Sequence, residues 1–109
     1  MTPPAAHLVY STFPSQAAAE AAGRALVTAR LAACANILPG MVSLYHWEGA
    51  LERGEEAVLL LKTTPQKSPL AMAALRERHP YALPSILVIE VAAGDPAYLA
   101  WIAAETVPR

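Results

Sequence analysis

LAACANILPGMVSLYHWEGALERGEEAVLLLKTT, residues 31–64, decides the fold. It reads as two long strands joined by a turn. The first carries Val42, Leu44, Tyr45 and Trp47, residues that favour a pleated, half-buried surface. Pro39-Gly40 interrupts it, and that pair predicts a break or bulge rather than a regular central ladder. The second strand, Ala57-Val58-Leu59-Leu60-Leu61, is a continuous apolar run consistent with burial on both faces. Glu52-Arg53-Gly54-Glu55 has turn chemistry, with Gly54 free to take a positive φ, and the turn is expected there. Strands of roughly ten residues exceed the usual five to six. A small domain cannot cover so long a hairpin with its own helices, so the overhang is expected to pair with another copy of the chain.

Outward from the hairpin, His7 to Phe13 reads as a strand ended by Pro14. Ser15 is an N-cap for a helix over Gln16 to Arg30, with Ala18, Ala21, Ala22, Ala25, Leu26 and Ala29 on its inner face. Gly23 within it costs about 1 kcal/mol relative to Ala, which close approach to a sheet would explain. Ser68-Pro69 reads as an N-cap followed by proline at the first helical position. Leu70, Ala73, Ala74 and Leu75 continue that helix to Arg78, and His79-Pro80 ends it. Ile86 to Val91 is the last strand. Asp95-Pro96 starts a short helix through Tyr98, Leu99, Trp101 and Ile102. The order βαββαβ plus a short C-terminal helix is an α+β, ferredoxin-like sandwich with a long hairpin between its second and third strands. Right-handed crossovers place both main helices on one face of the sheet, leaving the other to subunit contacts.

The 109 residues are expected to form one domain, with residues 1–6 a flexible tail. Hydrophobic residues make up 55% and charged residues 16%, against a usual charged share of about 25%, and an interface is the default place for the excess. A net charge of −1 with no basic run argues against nucleic acid. One cysteine, Cys34, excludes an internal disulfide framework and fits a reducing compartment. MTPPAAHLVY lacks the charged and apolar regions of a secretory leader, and no apolar run approaches about 18 residues, so a cytoplasmic protein without a membrane span is expected.

RLAACANILPG, SLYHWEG, LLLKTT, RHPYALP and GDPAYLAWI, in this order and spacing, resemble the CutA divalent-cation tolerance family from about Val9 to Ile102. The resemblance implies a ferredoxin-like subunit and a homotrimer in which neighbouring hairpins extend one another's sheets. It also implies an architecture similar to PII signalling proteins, which carry small ligands between subunits, and a role in tolerance of divalent metals, copper especially, in a family not established as enzymatic. The metal site proposed for some members uses a cysteine, a histidine and a glutamate. The matching positions here hold Ser11, Arg78 and Ser85, which are poor copper ligands.

The remaining chemistry has a functional and a structural reading at each position. Cys34 is either a soft copper ligand or a small hydrophobe, the usual role of a free cysteine. His79 is either a site residue or a cap on the last helical carbonyls, and with Cys34 it forms the candidate metal pair. His7, His46 and His79 are isolated in sequence, so no local metal motif exists. Glu48, Glu52, Glu55 and Glu56 are alternative ligands or a solvated hairpin end. Tyr45, Trp47, Lys62, His79, Tyr81 and Trp101 are candidates for a ligand cleft, the alternative being interface core. Lys62 either anchors an anion or extends to water. There is no nucleophile elbow and no phosphate loop. The expectation is a non-enzymatic, CutA-like homotrimer that binds a divalent cation such as copper, or a small ligand. The alternatives are a PII-like sensor of a small anion and a structural scaffold.

Overall fold

In the computed structural model, which describes residues 5–107, the elements run β1 (His7–Phe13), α1 (Gln16–Thr28), β2 (Cys34–Trp47), β3 (Ala50–Thr63), α2 (Ser68–Arg78), β4 (Ile86–Glu90) and α3 (Pro96–Glu105). The sheet order is β2-β3-β1-β4, with every neighbouring pair antiparallel. This is the expected ferredoxin-like arrangement.

Side chains alternate across each strand, so one set of positions meets the helices and the next set points away. Val9, Ser11 and Phe13 lie opposite Leu61, Leu59 and Ala57. Except for Ser11, these residues join Ala19, Ala22 and Leu26 of α1 and Ala71 and Leu75 of α2 in one core. Ser11 is fully buried in this layer, and its hydroxyl has no hydrogen-bond partner among the described residues. A buried hydroxyl left unpaired forfeits its hydration, so Ser11→Ala is expected to stabilise the fold by about 1 kcal/mol. Urea unfolding checks this, and a loss of stability would contradict it.

The opposite face carries Leu8, Tyr10 and Thr12 beside Lys62, Leu60 and Val58. On the flanking strands of that face Leu38, Leu87 and Ile89 remain 49%, 57% and 46% exposed. α3 covers only one end. Its Leu99 and Ile102 pack on Ala6, Ala33 and Val91, and the Arg30 guanidinium meets the Glu105 carboxylate at 2.6 Å. No helix in the described residues is long and apolar enough to cross a membrane.

The α1 N-cap is as expected: Ser15 Oγ accepts from the Ala18 N–H at 3.1 Å. The buried face is rotated from the predicted one. Ala19, Ala22, Gly23 and Leu26 face the sheet, while Ala21 and Ala29 are exposed. Alanines occupy nearly every side of this helix, so spacing alone did not select the stripe. Gly23 is the point of close approach, since a Cβ there would stand 2.9 Å from Ala35 Cβ.

The turn lies elsewhere than expected. Glu48 and Gly49 have φ of 50° and 83°, and Trp47 pairs directly with Ala50. This is the two-residue connection with both central residues left-handed, whose twist matches the flanking strands. Gly54 instead sits within β3 opposite Ser43, under the Tyr45 side chain. The break at Pro39-Gly40 is present as a register shift between Leu38 and Met41, with Gly40 at φ 74°.

Two further expectations are corrected. Ser68 does not cap α2 but begins it, buried, with its Oγ engaged by His7 Nδ1 at 2.9 Å and by the Pro65 carbonyl. Thr64 closes the preceding turn instead, its Oγ1 accepting from Lys67 N–H and its carbonyl from Ser68 N–H. The α2 face follows this start: Ser68, Ala71 and Leu75 are buried, whereas Leu70 and Ala73 are exposed. The expected flexible tail does not include Ala6. Ala6 is buried and its carbonyl accepts from Val91 N–H, while residues 1–4 lie outside the described residues. Asp95 caps α3 as expected, accepting from Tyr98 N–H at 3.0 Å.

Candidate functional site

The aromatic and polar candidates separate into two groups at opposite ends of the sheet face that lies away from α1 and α2. The first is a cleft of about 540 Å³ between the base of the hairpin overhang and the loop after α2. Tyr45 and Trp47 form one wall, Tyr81 and Leu83 the other, and Thr12, Glu56 and Ser85 supply polar atoms. Within one chain Tyr45 and Trp47 are 45% and 52% exposed. Tyr81 donates its hydroxyl to Glu56 Oε2 at 3.0 Å. Burial, together with that bond and the carboxylate charge, pushes the Tyr81 phenol up to about 12. The phenol therefore stays protonated and donates to Glu56 across the physiological range.

His79 stands behind this wall and holds it in place. As the C-cap of α2 its backbone is extended, which turns the chain towards β1. Its ring stacks on Phe13 at 4.2 Å and lies 5.0 Å from the Tyr81 ring. Tyr81 N–H donates to Nδ1 at 3.1 Å, so Nδ1 carries no proton, and Nε2–H donates to the Thr12 carbonyl at 2.9 Å. Burial lowers its pKa, opposed by the Thr12 carbonyl and the Glu56 charge. Both ring nitrogens are committed within the chain. The carbonyl it meets belongs to the sheet, not to the end of its own helix.

The second group surrounds Lys62. Its Nζ donates to Tyr98 Oη at 3.1 Å and lies 5.2 Å from that ring's centroid, and Tyr98 stacks with Trp101 at 5.5 Å. The Tyr98 bond raises the Lys62 pKa, against a lowering by burial. Cys34, half-buried, is the direct cross-strand partner of Lys62.

Cys34 and His79 are not brought together. Cys34 pairs with Lys62, whereas His79 holds the carbonyl of Thr12, which pairs with Val58. Those β3 positions are four residues apart, about 13 Å at the strand rise. Ser11 is sealed in the core, Arg78 is exposed on the last turn of α2, and only Ser85 reaches the cleft. Glu48, Glu52 and Glu55 are exposed, Glu55 beside Arg53 at 3.6 Å, and His46 is exposed between Tyr45 and Trp47. Among the described residues no three His, Cys, Asp or Glu side chains converge on a point that could hold a metal. The residues present therefore do not fit a copper site within one chain.

The profile of the CutA1 divalent ion tolerance proteins matches residues 7–105. The chain belongs to this family. CutA, the divalent-cation tolerance protein of Citrobacter koseri, is 42% identical over 99 residues, covering 91% of this chain and 86% of the relative. The crystal structure of CutA from Xylella fastidiosa superposes with a TM-score of 0.91 at 42% identity, over 94% of this chain and 98% of that one. CutA1 from Ehrlichia chaffeensis gives 0.93 at 28% identity, over 96% and 98% of the two chains. The CutA1 fold here thus brings together Tyr45, Trp47 and Tyr81 from the expected cleft set. It adds Thr12 and Glu56, and it moves Lys62 and Trp101 to the far end with Tyr98. Glu56 was legible in principle. Counting by twos from Val58, Leu60 and Lys62 puts it on the same face of β3.

Proposed function

We propose that this CutA1-family protein contributes to divalent-cation tolerance as a non-enzymatic, cytoplasmic homotrimer that takes a positively charged ligand in the cleft at Glu56. The observation that carries this reading is the charge of the cleft. Glu56 is the sole ionised side chain lining it among the described residues, and no lysine or arginine shares its wall. In a partly desolvated site one carboxylate favours a cation and repels an anion.

Trimer assembly is supported by two features. β1 ends at Phe13 opposite Ala57, so beyond that point β3 pairs only with β2 and offers a free edge. Leu38, Leu87 and Ile89, on the edge strands of the far face, have no cover among the described residues. Light scattering is expected to give three times the 11.5 kDa chain mass, and a stable monomer at micromolar concentration would refute the assembly. Copper, if it is the cargo, would draw donors from more than one copy, because the described residues of one chain do not assemble three of them.

The PII-like alternative, a sensor of small anions, draws on Lys62 with the Tyr98 and Trp101 rings. A calorimetric titration separates the two readings. Cation heats abolished by Glu56→Gln support the cleft, whereas anion heats abolished by Lys62→Met support the sensor.

A further inference from the structure

We infer that the cleft between Tyr45, Trp47 and Tyr81 binds an organic ammonium group rather than a bare metal ion. The inference rests on the cation reading of the cleft and narrows its ligand class. A bare divalent ion needs several hard donors, at least four in most sites and six for an octahedral one. The cleft offers one carboxylate, already accepting a hydrogen bond from Tyr81, with the hydroxyls of Thr12 and Ser85. What it has in quantity is aromatic surface. Tyrosine and tryptophan faces attract a cation within about 6 Å of the ring, and a large, weakly hydrated alkylammonium gives up its water to reach them far more readily than a small metal ion does. Two of the three rings stand on the hairpin and the third on the opposing loop, so aromatic side chains line the cleft from both sides. Glu56 supplies the countercharge on the same side of the sheet as Tyr45, and Tyr81 fixes its Oε2. Leu83 and Pro80 give the site an apolar rim for the carbon substituents. The volume suits a small molecule.

The test is a titration of the full-length protein with tetramethylammonium chloride, followed by calorimetry and by the ring-current shift of the methyl protons. tert-Butanol, a neutral analogue, and magnesium and copper ions are titrated in parallel. Saturable binding of tetramethylammonium is expected, with tert-butanol at least about tenfold weaker, and Glu56→Gln and Trp47→Ala each weakening it by about tenfold. Glu56→Gln is isosteric and Trp47→Ala removes a half-exposed ring, and light scattering with thermal unfolding of the same samples verifies that both variants keep the wild-type assembly and fold. Equal affinity for tert-butanol, or full affinity in Glu56→Gln, overturns the inference. Metal ions that bind in a Glu56-dependent way while tetramethylammonium does not overturn it too, but leave the cation reading standing. Failure of every cation to bind removes both.

Discussion

Phe13→Ala is expected to lose about 3–5 kcal/mol of stability, the range for removing a buried aromatic ring. Phe13 is only 1% exposed and belongs to the core between the sheet and the helices. Its ring is also the surface on which His79 stacks at 4.2 Å. Truncation therefore reaches the cleft as well as the core. Burial is the main cause of the lowered His79 pKa, so opening a void beside the imidazole should return that pKa towards 6.5. The sign follows from linkage. A histidine held below its ordinary value binds fewer protons folded than unfolded. Its contribution is complete above pH 6.5 and is lost as pH falls through the lower, folded value. In Phe13→Ala this acid-side loss should shrink, even though total stability is lower. Protonation also places an N–H on Nδ1 against the Tyr81 N–H, so acid should loosen the loop that carries Tyr81. Proton NMR titration of His79 and urea unfolding at pH 5 and 7.5 check both parts. A loss below about 1 kcal/mol, or an unchanged His79 titration, would refute the account.

Gly23→Val is the second large effect, expected to cost about 3 kcal/mol or more, at or above the top of the usual overpacking range. The first added carbon would already stand 2.9 Å from Ala35 Cβ and 3.2 Å from Leu59 Cδ1. Ala35 has no rotamer to change, so relief requires movement of β2 or α1 as a body. Helix propensity does not offset this, because valine recovers only part of glycine's deficit of about 1 kcal/mol. The matching control is a double-mutant cycle. Gly23→Ala should be harmful alone and better tolerated with Ala35→Gly, with a favourable coupling of about 1–2 kcal/mol. Wild-type stability in Gly23→Val, or additivity in the cycle, would mean that α1 does not sit where these distances place it.

Ser15 and Asp95 were readable as caps because each is a short-range bond between a side chain and an N–H three residues on. Pro39-Gly40 was readable as a break because proline cannot donate to a ladder. The turn was misplaced because Glu52-Arg53-Gly54-Glu55 and Trp47-Glu48-Gly49-Ala50 carry the same local chemistry. What separates them is that the apolar registers of β2 and β3 meet correctly only around Glu48-Gly49. Ser68 looked like a cap until the fold brought His7, 61 residues away, onto its hydroxyl. For the cleft, the aromatic composition of the hairpin and of HPY was visible in the chain, and three of the six named residues do meet there. Lys62 and Trp101 do not, because six residues of β3 separate Lys62 from Glu56, about 20 Å of extended strand.

By itself, then, the sequence determined the succession of strands and helices, two of the caps, the bulge, the closeness of α1 to the sheet and the family. Each of these follows from periodicity of 2 or 3.6, from backbone restrictions at Gly and Pro, or from motifs contiguous in the chain. The tertiary structure alone decided which alanines of α1 are buried, that the Ser11 hydroxyl is orphaned, that both nitrogens of His79 are spent on Thr12 and Tyr81, and that Glu56 rather than Lys62 charges the cleft. Those outcomes depend on pairing between residues up to 67 positions apart, and such pairing is set by strand register and crossover geometry, which no local window of the chain encodes.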